Sequence, residues 1–170
     1  VAKVVRSPTA NGVVKSFDLE AALAVPGVVK IVTCFDVPDI QFPTPGHPWS
    51  VETAHQDIAD RKLLNTRVRV YGDDIAAVIA EDEIAASRAA RLVKVEYEEY
   101  EPMLTVEAAM AEGATVLHEE KPGNVIAHSS FVVGEGTYQE AVEGEDVAEI
   151  DHVYATQSVQ HCHIETPISF

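Results

Sequence analysis

Residues 71–97 read Tyr-Gly-Asp-Asp-Ile-Ala-Ala-Val-Ile-Ala-Glu-Asp-Glu-Ile-Ala-Ala-Ser-Arg-Ala-Ala-Arg-Leu-Val-Lys-Val-Glu-Tyr, a pattern that predicts a strand, a helix and a second strand. Apolar runs at 75–80 and 93–97 are bounded by turn signals, which predicts two strands buried on both faces. Residues 81–91 between them predict a helix with Asp82 as its N-cap. The helix face toward the sheet is expected to comprise Ile84, Ala85, Arg88, Ala89 and Leu92, and its small alanines permit close packing.

The same kind of pattern continues on both sides of this stretch. Gly72-Asp73 predicts a tight turn with positive φ rather than a substrate contact. Short strands are predicted at 1–5, 12–17 and 67–70, a strand buried on both faces at 28–34, short helices at 18–24 (capped by Asp18), 106–111 and 137–142, and a long strand from 147 onward. Strands and helices at short intervals predict a mixed α/β or α+β sheet domain that ends near residue 113.

A proline-rich loop at residues 37–64 interrupts the regular pattern. A loop of this length in a compact domain usually binds something or packs on another surface, and packing on its own domain is the simpler interpretation. His47 and Trp49 are the best candidates for inter-domain packing, because an aromatic ring in such a loop is usually buried.

Composition excludes several classes of protein. Acidic residues number 28 against 12 basic ones, a net charge of −16, which disfavours a nucleic-acid partner. No apolar run is long enough for a membrane span. Cys34 and Cys162 have no metal-ligand spacing, which favours a reduced, cytoplasmic setting. Residues 96–151 carry fifteen acids and one base, Lys121, typical either of a solvated connector or of a face that docks on a basic partner.

Near the C-terminal end, residues 157–167 read Gln-Ser-Val-Gln-His-Cys-His-Ile-Glu-Thr-Pro. Strand geometry places His161, His163 and Glu165 on one face, as in the ligand set of a metal-dependent, cupin-like β-barrel enzyme. Cys162 points to the other face and is interpreted as a small buried hydrophobe. The chain begins at Val1 and stops shortly after this segment, so we expect it to be part of a longer protein. It has no Gly-rich phosphate loop, no Gly-x-Ser-x-Gly elbow and no Cys-x-x-Cys pair.

Three stretches, which together cover nearly the whole chain, carry a family resemblance. Their residues are Val5-Arg6-Ser7-Pro8 with Asn11-Gly12, Phe17-Asp18, Ala22, Pro26-Gly27-Val28, Thr33 and Asp36-Val37-Pro38; Tyr71-Gly72-Asp73 with Ile75 to Ala80, Ala85, Ala89-Ala90, Val93 and Val95 to Glu98; and Tyr154 to Gln157 with His161 and Ile164-Glu165. In this order they resemble the molybdenum-binding subunit of the xanthine dehydrogenase and aldehyde oxidase family. The Gly46 to Trp49 loop and His161 to Glu165 are most similar to bacterial purine dehydrogenases.

The resemblance implies an α+β fold with three parts. These are an α/β hammerhead domain at residues 1–114, an acidic connecting segment at 115–146, and the opening strand of a molybdopterin-binding domain at 147–170. His161 and Glu165 would be supporting polar residues beneath the molybdenum pocket, held by hydrogen bonds. Arg6 is expected to form a surface ion pair.

The resemblance also implies an activity for the parent protein. The parent would hydroxylate purines, related heterocycles or aldehydes with oxygen derived from water, at a molybdenum–molybdopterin cofactor. Iron–sulfur clusters and FAD would lie on other domains or subunits, and the molybdopterin cradle and the catalytic glutamate beyond Phe170. This chain would therefore hold no catalytic, cofactor-binding or metal residue, and would be inactive by itself. Two alternatives stay open: a non-catalytic acidic docking module for subunit assembly, and the β-barrel enzyme that would use His161, His163 and Glu165.

Overall fold

The structure is a computed structural model that describes residues 1–43, 58–59, 61–126, 128, 133–143, 147–157 and 159. The chain divides into two compact units, Val1–Ser129 and Ser130–Phe170, and each is described by itself. The predicted α+β class is confirmed. The three domain limits taken from the family resemblance stay a prediction.

The first unit contains six strands and three short helices within its described residues. In chain order they are β1 (Ala2–Arg6), β2 (Gly12–Asp18), α1 (Glu20–Leu23), β3 (Val28–Thr33), β4 (Arg67–Val68), β5 (Asp74–Ala80), α2 (Glu83–Ala90), β6 (Lys94–Glu99) and α3 (Val106–Met110), followed by a 3₁₀ turn at Pro122–Asn124. None of the helices in the described residues is long and apolar enough to cross a membrane.

The strands form two antiparallel three-stranded sheets, in the orders β1-β5-β3 and β4-β2-β6. The middle strands of the two sheets are β5 and β2. Of these two, only β5 has most of its residues buried. The prediction of burial on both faces was wrong for β3 and β6, which are outer strands with exposed residues. In β6, partly buried Val95 and Tyr97 alternate with exposed Glu96 and Glu98, because one face of an antiparallel sheet is solvated.

Two apolar cores lie on the two faces of β5. The first core lies between the β1-β5-β3 sheet and helices α1 and α2; its buried members are Ala22, Val25, Ile31, Val78, Ala80, Ala85, Ala86 and Ala89. The second includes residues of both sheets; its buried members are Val14, Cys34, Leu64, Val68 and Ile75. Successive side chains of a strand point to opposite faces, so Ile75 and Val78 of β5 belong to different cores.

Helix α2 has the predicted cap but a different packed face. The Asp82 carboxylate accepts a hydrogen bond from the Ala85 backbone N–H over 2.8 Å, as predicted. The buried positions are Ala85, Ala86 and Ala89. Ile84 is 81% exposed, and Arg88 and Leu92 are exposed as well, so these three residues were wrongly assigned to the packed face. This helix lies so close to the sheet and to α1 that only methyl groups fit between them. Larger side chains such as Ile84 are therefore turned outward.

The second unit has little regular structure in its described residues. Helix α4 (Tyr138–Val142) begins with a capping box in which Thr137 and Glu140 bind each other's backbone N–H groups. The strand predicted from residue 147 onward is absent from residues 147–157, whose side chains are exposed. Alternating apolar residues there have strand propensity, but a strand also requires a hydrogen-bonded neighbour, and no pairing is made by these residues.

Candidate functional site

Two of the stretches that carry the family resemblance meet at a backbone junction. The Ser7 N–H donates to the Asp73 carbonyl oxygen over 2.8 Å, and the Gly72 N–H donates to the Ser7 carbonyl oxygen over 2.9 Å. Gly72 has a φ of 95°, so the predicted tight turn with positive φ is confirmed. The junction therefore fixes the loop after β1 against the turn that precedes β5.

The Asp73 side chain organises the residues around this turn. Its carboxylate accepts from the backbone N–H groups of Arg69 at 2.8 Å and Val70 at 3.3 Å, and its second oxygen lies 3.4 Å from Arg61 Nη1. Asp73 is only 6% exposed. A buried carboxylate is tolerated when hydrogen bonds and a cation compensate for the lost hydration, as they do here.

A second polar cluster ties the start of β2 to the end of β6. Thr9 Oγ1 donates to Glu99 at 2.9 Å, and the amide of buried Asn11 donates to the Glu101 carbonyl oxygen at 2.7 Å. At Gly12, an added Cβ would lie 2.6 Å from the Glu98 carbonyl oxygen. The strands approach so closely at this point that position 12 has no room for a side chain.

Two arginines line a polar cavity beside β4. Because Val68 between them is fully buried, Arg67 and Arg69 lie on the opposite face of the strand. They border a cavity of about 330 Å³ together with residues 116–120. The Arg67 guanidinium donates to the Gly12 carbonyl oxygen at 2.9 Å and stacks over the ring of Tyr100. Its pKa is lowered, mainly by burial and secondly by the charge of Arg69.

The far wall of this cavity is held by Asn124 and Arg69. Asn124 accepts from the Leu117 N–H at 2.8 Å and donates to the carbonyl oxygens of Ala109 and Thr115. Arg69 Nε donates to the Leu117 carbonyl oxygen at 2.8 Å. One side chain from the strand region and one from the 3₁₀ turn therefore fix the same loop residue.

The chemistry of these residues is that of a structural network. Within the described ranges, no group of three or more His, Cys, Asp or Glu side chains could hold a metal ion. Burial raises the pKa of the Cys34 thiol, which disfavours the reactive thiolate. Burial likewise raises the pKa of Tyr97. We assign no reaction step to these residues.

The candidate residues named from the sequence are divided between described and undescribed parts of the chain. Those that lie outside the described residues are His47, Trp49, His161, Cys162, His163 and Glu165. Arg6 forms the expected exposed ion pair, with Asp74 at 3.3 Å.

The sequence analysis missed the roles of Arg61, Arg69 and Asn124. The alternation of arginines around Val68 was an available signal for Arg69. Asn124, with a φ of 58°, follows a Pro-Gly pair that signals a turn.

Comparison with known families decides the relationship. The family model described as "Aldehyde oxidase and xanthine dehydrogenase, a/b hammerhead domain" matches residues 1–101. The chain belongs to this family. Within the hammerhead residues, the two open three-stranded sheets and the family match favour the main prediction over the β-barrel alternative.

Curated members of the family align along almost the whole chain. The xanthine dehydrogenase molybdenum-binding subunit of Escherichia coli O157:H7 is 43% identical over 168 residues, which are 99% of this chain and 22% of the relative. The aldehyde oxidoreductase of Megalodesulfovibrio gigas is 32% identical over 176 residues, 98% of this chain and 18% of the relative. The chain thus spans about a fifth of the length of the curated relatives it matches.

Solved structures share the hammerhead fold. The aldehyde oxidoreductase from Desulfovibrio gigas superposes with a TM-score of 0.61 and 34% identity, over 71% of this chain and 13% of that protein. Quinoline 2-oxidoreductase from Pseudomonas putida 86 superposes with a TM-score of 0.56 and 29% identity, over 74% and 16%. The described architecture is therefore that of the hammerhead domain in molybdenum hydroxylases.

Proposed function

We propose that this chain is the hammerhead part of the large subunit of a xanthine dehydrogenase-like molybdenum hydroxylase. The observation that carries the proposal is the 43% identity to a xanthine dehydrogenase molybdenum-binding subunit over 99% of the chain. The whole enzyme would hydroxylate a purine, a related heterocycle or an aldehyde. In that reaction a C–H group and water yield a hydroxyl group, two protons and two electrons.

The cofactors and partners of the whole enzyme follow from this proposal. Molybdenum bound to molybdopterin would supply the oxidation chemistry, and iron–sulfur clusters and FAD on other domains or subunits would accept the two electrons. The partners would be the remainder of the molybdenum-binding subunit, the iron–sulfur and FAD parts, and the small-molecule substrate. Nucleic acid and membrane are not expected partners, and the enzyme would be cytoplasmic.

This chain would contribute rigidity rather than chemistry. The junction between Ser7 and Asp73 joins the chain after β1 to the chain before β5, and the bond from Asn11 to Glu101 joins the chain before β2 to the chain after β6. His161 and Glu165 would support the molybdenum pocket from beneath through hydrogen bonds. Neither would contact substrate.

The proposal is tested with two proteins, the 170-residue chain and the longer gene product that contains it. The longer protein, produced with its partner subunits, should contain molybdenum and oxidise xanthine, hypoxanthine or an aldehyde. The short chain should contain neither molybdenum nor iron after dialysis, and should show no turnover with added cofactor and an electron acceptor. Turnover by the short chain would contradict the proposal.

The β-barrel alternative has its own test. Metal analysis of the short chain is compared with that of His161→Ala. Stoichiometric zinc, iron or nickel that disappears in the variant would favour a metal site at His161, His163 and Glu165. The absence of such metal in both proteins is the expected result.

A further inference from the structure

A second, smaller cavity adjoins the polar cavity beside β4. Its volume is about 160 Å³, and it shares Gln41, Arg67 and Arg69 with the larger one. Lys62 and buried Asn65 also border this smaller cavity, which we call the Arg67 cavity. Within the described part of the chain, no carboxylate is among its lining residues. Three cationic side chains and two side-chain amides therefore converge on one concave space.

Two neighbouring bases are already paired with acids of the chain itself. Four of the twelve bases of this acidic chain lie at positions 61–69. Arg61 Nη1 lies 3.4 Å from a carboxylate oxygen of Asp73. Lys62 Nζ lies 2.6 Å from a carboxylate oxygen of Asp39. The fold thus supplies a counter-charge to the first two bases of this segment.

Arg67 has unused donors and no acid beside it. Its Nη1 donates to the carbonyl oxygens of Gly12 and Val68, and its stacking over Tyr100 holds the guanidinium in place. Nε and Nη2 carry three more N–H donors, and the described residues offer them no acceptor. Burial, and secondly the charge of Arg69, lower the pKa of this group, and the attraction of nearby acidic groups is weaker. The fold therefore leaves this charge without full compensation.

The side-chain amide of Asn65 also has unused donors. Its oxygen accepts from the Lys62 backbone N–H at 2.9 Å, which fixes the orientation of the amide. Asn65 is only 6% exposed, and its NH₂ group has no acceptor among the described residues. Buried polar groups are normally hydrogen-bonded, so a donor of this kind beside two arginines indicates a ligand that accepts hydrogen bonds and carries negative charge.

We propose that the Arg67 cavity binds a small oxyanion, such as inorganic phosphate, sulfate or a short carboxylate. The anion accepts from the guanidinium of Arg67 and the amide of Asn65, which are donors suited to such oxygens, and the two neighbouring cations add attraction. Exposed Glu119 and Glu120 border only the larger cavity, so the anion lies in the smaller one. A volume of about 160 Å³ is below that of cavities for drug-sized ligands. This inference does not depend on the proposed function.

Equilibrium dialysis with radiolabelled phosphate tests the site in the longer gene product and in the 170-residue chain. We expect both to bind one equivalent with a Kd below about 1 mM that Arg67→Gln loses. Arg91→Gln removes the same charge from the exposed end of α2 and, as the matched control, should retain this equivalent. Binding that is unchanged in Arg67→Gln would overturn the proposal. Binding by the short chain alone would overturn it too, because another part of the longer protein would then fill the cavity.

Competition identifies the class of anion. Displacement of phosphate by sulfate but not by malonate would assign the cavity to tetrahedral oxyanions. Displacement by both would extend the assignment to carboxylates. Displacement by chloride at the same concentration would show attraction of charge alone and would overturn the proposal.

Asn65→Asp provides a second test that does not remove an arginine. The variant keeps the acceptor for the Lys62 N–H, but it replaces the amide donors with a carboxylate that occupies the place of the anion. We expect phosphate binding at least tenfold weaker, with circular dichroism as the check on folding. Phosphate should raise the Tm of the parent chain, relative to chloride at equal ionic strength, more than that of Asn65→Asp. The rise that remains in the variant is the nonspecific effect of phosphate. Equal rises in the two proteins would overturn the proposal.

Discussion

Arg69 and Asn124, 55 residues apart in the chain, bind opposite sides of the same residue: Arg69 Nε donates to the Leu117 carbonyl oxygen, and the Asn124 amide oxygen accepts from the Leu117 N–H, each at 2.8 Å. The Arg69 bond attaches the segment after α3 to the strand region, and the Asn124 bond closes that segment on itself. The attachment explains why the first compact unit continues past residue 114 to Ser129.

Loss of the Arg69 bond should loosen this segment locally. Arg69→Gln is expected to destabilise the first unit by about 1.5–3 kcal/mol, in the range for a charged hydrogen bond. Amide exchange at residues 115–118 should accelerate more than exchange in β5. Arg91→Gln, on the exposed side of the chain after α2, is the control and should change neither quantity.

Two neighbouring aspartates should differ sharply in their effect on stability. Asp73→Ala leaves the backbone N–H groups of Arg69 and Val70 without their acceptor, so we expect a loss of about 2–4 kcal/mol in the free energy of unfolding. Asp74→Ala removes only the exposed pair with Arg6 and should cost less than about 1 kcal/mol. Urea unfolding of both variants is the measurement, and equal losses would contradict the role of Asp73.

Gly12 is expected to tolerate no larger residue. In Gly12→Ala the Cβ would meet the Glu98 carbonyl oxygen at 2.6 Å, so β2 and β6 must separate, at a cost of about 1–3 kcal/mol. Thermal unfolding measures the loss. Gly134→Ala is the control for the backbone effect of replacing a glycine, because an added Cβ at position 134 meets nothing within 4 Å. Gly134 has a positive φ, so any loss of stability in that variant reflects backbone conformation alone.

Asp36 should contribute stability that is lost in acid. Its carboxylate accepts from the Thr33 hydroxyl at 2.7 Å and the Thr33 N–H at 2.8 Å, and these bonds lower its pKa from 3.8. Because the pKa is lower in the folded state, the stabilisation is present above the unfolded pKa and disappears as pH falls through the folded pKa. Carbon-13 NMR titration should report the depressed pKa. Asp36→Asn should show a weaker acid dependence of stability, and an unchanged acid limb would contradict this role.

The buried thiol should react slowly. In a Cys162→Ser variant, only Cys34 remains, and burial raises its pKa. Native protein should therefore react with a disulfide reagent far more slowly than the unfolded chain does. A native rate close to that of a free thiol would show that the second core opens readily.

Local signals in the sequence were sufficient for much of the hammerhead fold. The Asp82 cap, the Gly72 turn and the positions of the short helices and of β1 to β6 along the chain depend on neighbouring residues, and each was predicted within a few positions. The predicted Asp18 cap was wrong, because Leu19 is the N-cap of α1, although the Asp18 carboxylate still accepts from the Glu20 N–H at 3.2 Å. The family resemblance added the domain type, which the family match confirmed. The metal set of His161, His163 and Glu165 lies outside the described residues, so its prediction stays open.

Propensity, capping and turn chemistry act between near neighbours, so local residues predict where chain segments become strands, helices and turns. Contacts in the folded chain establish which strands lie at sheet edges, which side of α2 is buried, and that Asp73, Arg69 and Asn124 hold distant segments together. An apolar run such as residues 28–34 has the same appearance in a central strand and in an edge strand. Burial depends on the neighbours that the fold brings together across many residues, and no local pattern contains that information.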